Sequence, residues 1–353
     1  MSGGVDSSVT VGLLLDAGYD VSGITITPFK VDDQCKLREG TRSCCNSQSI
    51  IDAMDISARF GIPHHLVDMT EHFERSVVSN FVSEYLSGRT PNPCILCNPE
   101  IKWRAILDKA DELGCYYVAT GHYASIRHIE PTDKYLIVKG TDKKKDQSYF
   151  LWRLTQEMLS RTLFPLGQYT KVETRALADK YNLTVKDKPD SQEICFVPDN
   201  DYRNFLLHYV KSGLPGEGNF MLHGKPFGRH TGFENYTVGQ RKGLGLSYSE
   251  PLYVTSIDAA SNSVCLDTFE NIASSDITAD NLIMSKYENL TEEREFIVKV
   301  RYRDPGTPAI CRTENGILFA HLLQPKNSIA PGQSIVLYEN DELIGGGIIN
   351  SAK

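Results

Sequence analysis

The chain has 353 residues, 41% of them hydrophobic and 23% charged, which suits two or three domains with a packed core and excludes a mainly disordered chain. Lys and Arg total 37 and Asp and Glu total 45, a net charge of −8, which argues against non-specific coating of nucleic acid but leaves room for a local basic patch. No run of about 18 apolar residues is present, and the opening MSGGVDSS lacks the basic start and apolar stretch of a signal peptide; no membrane partner and a cytoplasmic location are expected.

In chain order, residues 6–17 set Val9, Leu13 and Ala17 on one helical face, with Gly18 as the stop. VSGITIT (21–27) reads as a strand. Residues 49–60 repeat the helical pattern through Ile51, Met54 and Ala58, and the short apolar run HLVDM follows. Residues 72–86 place Phe73, Val77, Phe81 and Tyr85 four apart, and residues 100–113 stripe Trp103, Ile106, Ala110 and Leu113. CYYVAT (115–120) is strand-like. Strands alternating with helices predict βαβ units and a parallel sheet, bound at the carboxyl ends of its strands. The loops expected there are SGGVDSS, PNPCILC and TGHYA. The helix at residue 6 has no strand before it, which predicts a sheet lacking the strand that ordinarily precedes such a loop.

Residues 198–275 are richer in Gly, Pro and aromatics and read as a small separate module. The last 80 or so residues turn to period-two alternation, as in Phe296, Val298, Val300 and Tyr302, and Asn315-Gly316 signals a hairpin. Several short strands there predict a small barrel or sandwich.

In SGGVDSS, Gly3 and Gly4 permit a tight turn, and Asp6, Ser7 and Ser8 open a helix whose N–H groups suit a phosphate. The structural alternative is a plain capped turn; the full string before an amphipathic helix favours phosphate binding. The spacing is not that of a Walker loop.

Nine cysteines without an export signal point to burial, metal binding or catalysis rather than a disulfide framework. Cys94-Ile95-Leu96-Cys97, bracketed by Pro91, Pro93 and Pro99, predicts a rigid exposed loop with two close thiols. Cys195 follows the polar stretch Asp190, Ser191, Gln192, Glu193. Cys115 and Cys265 read as small buried hydrophobes, and Cys311 has no better reading. Cys44 and Cys45, with Cys35, are assigned to packing ahead of a metal or redox site.

His122 ends a predicted strand, a position apt for a ligand. Lys143, Lys144 and Lys145 beside Asp146 and Gln147 form the densest basic spot of an acidic chain, and Arg229, Arg241, Lys242, Arg301 and Arg303 would extend a cationic track. A solvated charge run is the plainer alternative.

SGGVDSS, TPNPxxxCN, ATGHYA, KDQSYFL, DSQEICF and YTVGQRKGLG occur here in the order seen in tRNA-specific 2-thiouridylases, and the chain resembles that family throughout. The resemblance implies an α/β fold class: a parallel-sheet pyrophosphatase-loop domain (adenine nucleotide alpha hydrolase-like, 1–197), a small central tRNA-binding domain (198–275) and a C-terminal β-barrel (276–353). It implies ATP, with Mg2+, adenylating the C2 carbonyl of the wobble uridine of a tRNA. Sulfur from a cysteine persulfide, supplied by a cysteine desulfurase or a sulfur relay protein, then displaces AMP from the flipped-out base.

By the same resemblance Ser2, Gly3, Gly4, Val5, Asp6 and Ser7 bind ATP phosphates, Met1 belongs to the same cofactor site, and Ile26 and Gly121 line the nucleotide. Cys195 carries the persulfide, and Cys97 is the partner thiol that would leave a Cys97–Cys195 disulfide. Asn92, Pro93 and Cys94 meet the target base. Lys145, Asp146, Gln147, Arg301, Tyr302, His122 and Gln333 contact tRNA. Many members carry Asp where this chain has Cys94, so a second route is open in which Cys94, Cys97 and Cys195 hold a 4Fe–4S cluster. Outside the family, rival readings are a small-molecule adenylating ligase sharing the SGGxDS loop and a non-catalytic iron–sulfur or RNA-binding module.

Overall fold

Helix α1 (Val5–Asp16) begins directly after the paired glycines. Val5 and Val9 pack with Ile56, Tyr123, Leu166, Ala178, Leu183 and Val185 in one buried cluster. Its inner face is narrower than the periodicity predicts, for Leu13 is half-buried and Ala17 exposed. The helix ends in a Schellman turn: Gly18 (φ 84) donates to Leu15 O and Tyr19 to Leu14 O. The protein is described here from a computed structural model covering residues 1–28, 47–189, 194–197 and 200–353. Cys35, Cys44, Cys45, Asp190, Ser191, Gln192 and Glu193 lie outside the described residues.

Strand β1 (Gly23–Thr27) runs parallel to β2 (His64–Asp68), in register from Gly23 opposite His64 to Thr27 opposite Asp68. Met1 lies alongside β1: its nitrogen donates to Ile24 O, and its carbonyl accepts from Thr25 Oγ1 at 2.8 Å. Further along, β3 (Val118–Ala119) runs parallel to β6 (Thr162–Leu163). Two parallel pairs interleaved with helices bear out the α/β reading.

Helix α2 (Ser47–Phe60) forms where periodicity places it but buries another face. Ile51 and Met54 are about half exposed (49% and 50%), while Ala53, Ile56 and Ser57 are buried. The reason is closeness: a Cβ on Gly23 of β1 would sit 3.0 Å from Ser57 Oγ, so the side of α2 with small residues faces the sheet.

The stripe Phe73, Val77, Phe81, Tyr85 is buried throughout. Residues spaced four apart drift by about 40° per step around an α-helix. A π-helical stretch, Glu74–Val78, widens the turn between the helices Thr70–Phe73 and Ser79–Leu86 and keeps these residues on one side.

PNPCILC is not a loop. Pro93 opens a helix, Pro93–Cys97, that continues as a π-helical turn Asn98–Trp103 and a helix Arg104–Glu112. A proline at the first helical position loses no hydrogen bond. Trp103, which ends the π-helical turn, and Ala110 on the last helix are buried, but Leu113, just past that helix, is exposed. Cys115 and Cys265 are half-buried rather than core residues; Cys311 is fully buried, and burial pushes its thiol up to about 12.

The chain divides into two compact units, Met1–Val77 with Cys94–Asp201 and Asp341–Leu343, and Val78–Pro93 with Tyr202–Asn340 and Ile344–Lys353. The first contains the elements just described up to Val77 and from Cys94, plus a hairpin of β4 (Ala124–Ile129) and β5 (Lys134–Lys139). Glu342 pairs with Val138 of β5, and its carboxylate with Arg127.

In the second unit, β7 (Gly218–Leu222), β8 (Lys225–His230), β9 (Leu252–Asp258) and β10 (Ser263–Thr268) form a sheet in the order β8-β7-β10-β9 over Phe220, Tyr236, Val254 and Val264. The same unit closes a barrel from β11 (Ala273–Met284), β12 (Arg294–Lys299), β13 (Thr307–Glu314), β14 (Ile317–Asn327), β15 (Ser334–Glu339) and the residues of β16 (Glu342–Ala352) from Ile344 on, in the order β11-β14-β13-β12-β15-β16 with β16 returning to β11. Phe296, Val298 and Val300 fill it, as alternation predicts, and Tyr302 is half-buried. Asn315 (φ 52) and Gly316 (φ 76) turn β13 into β14, the hairpin that the dipeptide signals. Among the described residues no helix is long and apolar enough to cross a membrane.

Candidate active site

The phosphate-loop candidate is shaped by what glycine lacks. Gly3 has φ 62, and a Cβ there would fall 2.2 Å from Ser49 O. Gly4 is the N-cap of α1 and offers no side chain to its first-turn N–H groups. Instead the hydroxyls of Ser7 and Ser8 donate to Gly4 O (3.1 and 2.7 Å), and Ser2 N donates to Ser7 Oγ (3.2 Å). A glycine-capped helix start bordered by hydroxyls presents several donors to an anion.

Gly121, which follows β3, lies against this loop: a Cβ would stand 2.8 Å from Asp6 C and 2.9 Å from Ser7 N. The next residues continue the contact. Tyr123 Oη donates to Asp6 Oδ1 (2.8 Å) and lies 3.1 Å from Thr174 Oγ1. Lys171, at the start of the helix Lys171–Lys180, reaches both Asp6 oxygens (2.8 and 2.9 Å). The Asp6 carboxylate is thus engaged by a cation and a phenol, and the Asp6 backbone is what remains for a ligand. Lys188 Nζ holds the other side of the loop through Gly3 O (3.0 Å). Ile26 is half-buried on β1 opposite Val67.

His122 is half-buried against the rings of Trp103 (5.6 Å) and Phe164 (6.1 Å), with Nδ1 2.8 Å from Thr120 Oγ1. Burial, with Lys102 nearby, lowers its pKa to about 3, so the imidazole is neutral at ordinary pH.

The basic stretch carries a structural core. Asp146 is buried and accepts from Gly140 N (3.2 Å), Ser148 N (3.1 Å) and Ser148 Oγ (3.0 Å). Gln147 exchanges two bonds with Tyr123: its N donates to Tyr123 O (2.9 Å), and its Oε1 accepts from Tyr123 N (3.0 Å). Lys143 and Lys144 are exposed and Lys145 half-buried on the loop that these bonds define.

Cys94, Cys97 and Cys195 are thiols. On their helix Cys94 faces out and Cys97 is half-buried, because Ile95 and Asn98 are the residues that pack inward. Asn98 Nδ2 donates to Phe150 O at 2.8 Å, tying this helix to the 143–150 segment. Cys195 is half-buried in a turn closed by Val197 N on Ile194 O (3.0 Å), and Phe196 beside it packs edge-on against Phe73 (5.5 Å). Among the described residues, which include all three cysteines, no group of three or more His, Cys, Asp or Glu stands close enough to hold a metal ion. As arranged here the three thiols do not make a cluster ligand set.

Residues 1–199 match the family model described as a tRNA methyl transferase HUP domain, residues 203–267 its PRC-barrel domain and residues 274–349 an aminomethyltransferase beta-barrel domain. The chain is 47% identical over 351 residues to tRNA-specific 2-thiouridylase MnmA 1 of Caldanaerobacter subterraneus subsp. tengcongensis, covering 99% of this chain and 96% of that protein. It is 46% identical to tRNA-specific 2-thiouridylase MnmA of Amoebophilus asiaticus (100% of this chain, 94% of the relative) and of Salinibacter ruber (99% and 93%). The chain belongs to the tRNA-specific 2-thiouridylase family. Its parts are a HUP domain, a PRC-barrel domain and a C-terminal β-barrel.

The residues that the 2-thiouridylase resemblance assigns to tRNA in the second unit sit on two built features. Gln333 Nε2 donates to Thr90 O (2.9 Å), which fixes the strip leading to Asn92 and Pro93. Arg301 is exposed on a turn clamped by buried Asp304, which accepts from Val300 N (3.0 Å), Gly306 N (2.9 Å) and Lys326 Nζ (2.5 Å). Arg241, Lys242 and Arg303 are exposed, whereas Arg229 is engaged by Glu217 and Asn219. Sequence reading missed Lys171, Lys188 and Asp304. Tyr123 stood inside a noted motif, but nothing in spacing or periodicity marks a lysine that meets a loop 165 residues away.

Proposed function

We propose that this protein is an ATP-dependent enzyme that 2-thiolates the wobble uridine of tRNA, with residues 1–197 as catalytic domain, 198–275 as central tRNA-binding domain and 276–353 as barrel. The supporting observation is the uncapped loop of residues 2–7, backed by Gly121, in the same compact unit as Cys97 and Cys195. The relatives' names speak of thiolation and the family models' of methyl transfer. A phosphate loop and thiols are what thiolation needs and methyl transfer does not, and the cysteines are equally superfluous to a small-molecule adenylating ligase.

The chemistry runs in balanced steps. The uracil O2 attacks the α-phosphorus of ATP and pyrophosphate leaves, turning a poor leaving group into AMP. The terminal sulfur of a Cys195 persulfide, delivered by a sulfur-donor protein, attacks C2. Cys97 attacks Cys195 Sγ, the sulfur passes to the base as AMP departs, and a Cys97–Cys195 disulfide remains for an external thiol to reduce. Exposed Cys94, with Asn92 and Pro93, meets the flipped base, and Lys145, Gln147, His122, Arg301, Tyr302 and Gln333 hold the tRNA. Mg2+ would be held chiefly by the substrate's phosphates, whose charge it would neutralise, because Asp6 is closed onto Lys171 and Tyr123 and Asp52 onto Lys188.

Pyrophosphate release tests this reading. It should depend on tRNA and be indifferent to free amino acids; release stimulated by an amino acid without tRNA would favour the ligase.

A further inference from the structure

Lys188 stands where the phosphate loop, helix α2 and the 183–188 segment meet. Its ammonium donates to Asp52 Oδ2 (2.9 Å), Gly3 O (3.0 Å) and Ser49 Oγ (3.3 Å). Its backbone is pinned: Leu183 and Val185 pack beside Val5 and Val9, and the Arg175 guanidinium donates to Lys186 O (2.5 Å) and Lys188 O (3.4 Å).

Among the described residues two lysines touch the loop, and they differ. The Lys171 side chain is 12% exposed and closed onto both oxygens of Asp6. The Lys188 side chain is 34% exposed and meets a single carboxylate oxygen, its remaining two contacts being neutral acceptors. Phosphate oxygens outcompete a carbonyl and a hydroxyl for an ammonium, because both partners are then charged. Gly3 O, one of the acceptors to be displaced, belongs to the loop that receives the anion.

We propose that Lys188 is a phosphate-binding residue of the nucleotide site, donating to the terminal phosphates of ATP and so favouring ATP over AMP. This rests on the reading of residues 2–7 as an ATP loop. Lys188 acts on the triphosphate tail, not on the adenosine, so its removal separates two ligands that differ only in that tail.

Equilibrium dialysis of the full chain with Mg2+ and either ATP or AMP tests this. Lys188→Ala should weaken ATP binding roughly tenfold or more and leave AMP binding within about twofold; Lys188→Arg, which keeps the charge, should recover most of the loss. Asp52→Asn, which frees the ammonium of its carboxylate, should tighten ATP selectively and serves if Lys188→Ala does not fold. Unchanged ATP affinity in Lys188→Ala, equal loss of ATP and AMP, or weaker ATP binding in Asp52→Asn overturns the proposal. Wild-type protein that binds neither nucleotide overturns the ATP reading and the proposal together, a result distinct from any variant-specific failure.

Discussion

The phenol of Tyr123 donates to the Asp6 carboxylate at 2.8 Å, joining the turn after β3 to the first turn of α1 across 117 residues of chain. Tyr123 is buried, so the bond is shielded from water, and Lys171 completes it from a third segment. Two motif-bearing stretches and the start of the helix Lys171–Lys180 thus share one carboxylate. Tyr123→Phe removes this hydroxyl and should lower stability by about 1–3 kcal/mol, read by urea unfolding, and raise the KM for ATP more than it lowers kcat. A variant as stable as wild type would mean that the bond contributes nothing.

Gly121 has no room for a side chain. Gly121→Ala puts a methyl group 2.8–2.9 Å from the backbone of Asp6 and Ser7, neither of which can yield as a flexible side chain would. ATP affinity should fall by at least roughly tenfold, the size expected when a backbone cradle is displaced. Near-normal ATP binding by a folded Gly121→Ala protein contradicts the packing described.

Within the basic segment, binding and structure should come apart. Lys145→Ala should weaken tRNA binding and flatten its dependence on salt, since one fewer phosphate contact releases fewer counterions. Asp146→Ala should instead cost stability, about 1–3 kcal/mol, by stranding the donors of Gly140 and Ser148. Binding titrations at several salt concentrations, beside thermal melts, separate the two; a steeper loss of binding in Asp146→Ala with an unaltered melt would reverse the assignment.

His122 gives the protein a defined acid response. Its folded pKa, about 3, lies below the unfolded value near 6.5, so the unfolded state takes up the proton first. The stability it contributes is complete above about pH 6.5 and is lost as pH falls toward 3. His122→Gln should show a shallower decline in unfolding free energy between pH 7 and pH 5 than the wild type. Parallel curves would place the proton-linked group elsewhere.

How far the sequence alone could go follows from the kind of signal. Phe73, Val77, Phe81 and Tyr85 were legible because each repeats a position on one helix side, and Asn315-Gly316 because two adjacent positive φ angles demand those residues. The face of α2 was not: Ile51 and Met54 outweigh Ala53 and Ser57 on any hydrophobicity scale, yet closeness to Gly23 selects the smaller pair. Pro93 reads as a loop marker in the sequence, yet a proline suits a helix start equally well. The loop residues and Gly121 do meet as the motifs imply, but the lysines that secure the loop come from segments with no pattern of their own.

The thiols carry the most demanding expectation. Cys97→Ser and Cys195→Ser should each abolish thiolation while tRNA affinity stays within about twofold of wild type, since neither substitution alters charge or backbone. Measured by filter binding and turnover side by side, persistent turnover in either variant would exclude the persulfide–disulfide sequence.

The central claim, that ATP cleavage primes a tRNA uridine for replacement of oxygen by sulfur, is met most directly by nucleoside mass spectrometry. Unmodified tRNA is incubated with the enzyme, ATP, Mg2+, a reductant and a persulfide donor, then digested. The account predicts 2-thiouridine in a one-to-one ratio with AMP, and none with Cys195→Ser. ATP consumed to AMP with no sulfur-containing nucleoside, or 2-thiouridine formed without ATP cleavage, would contradict it.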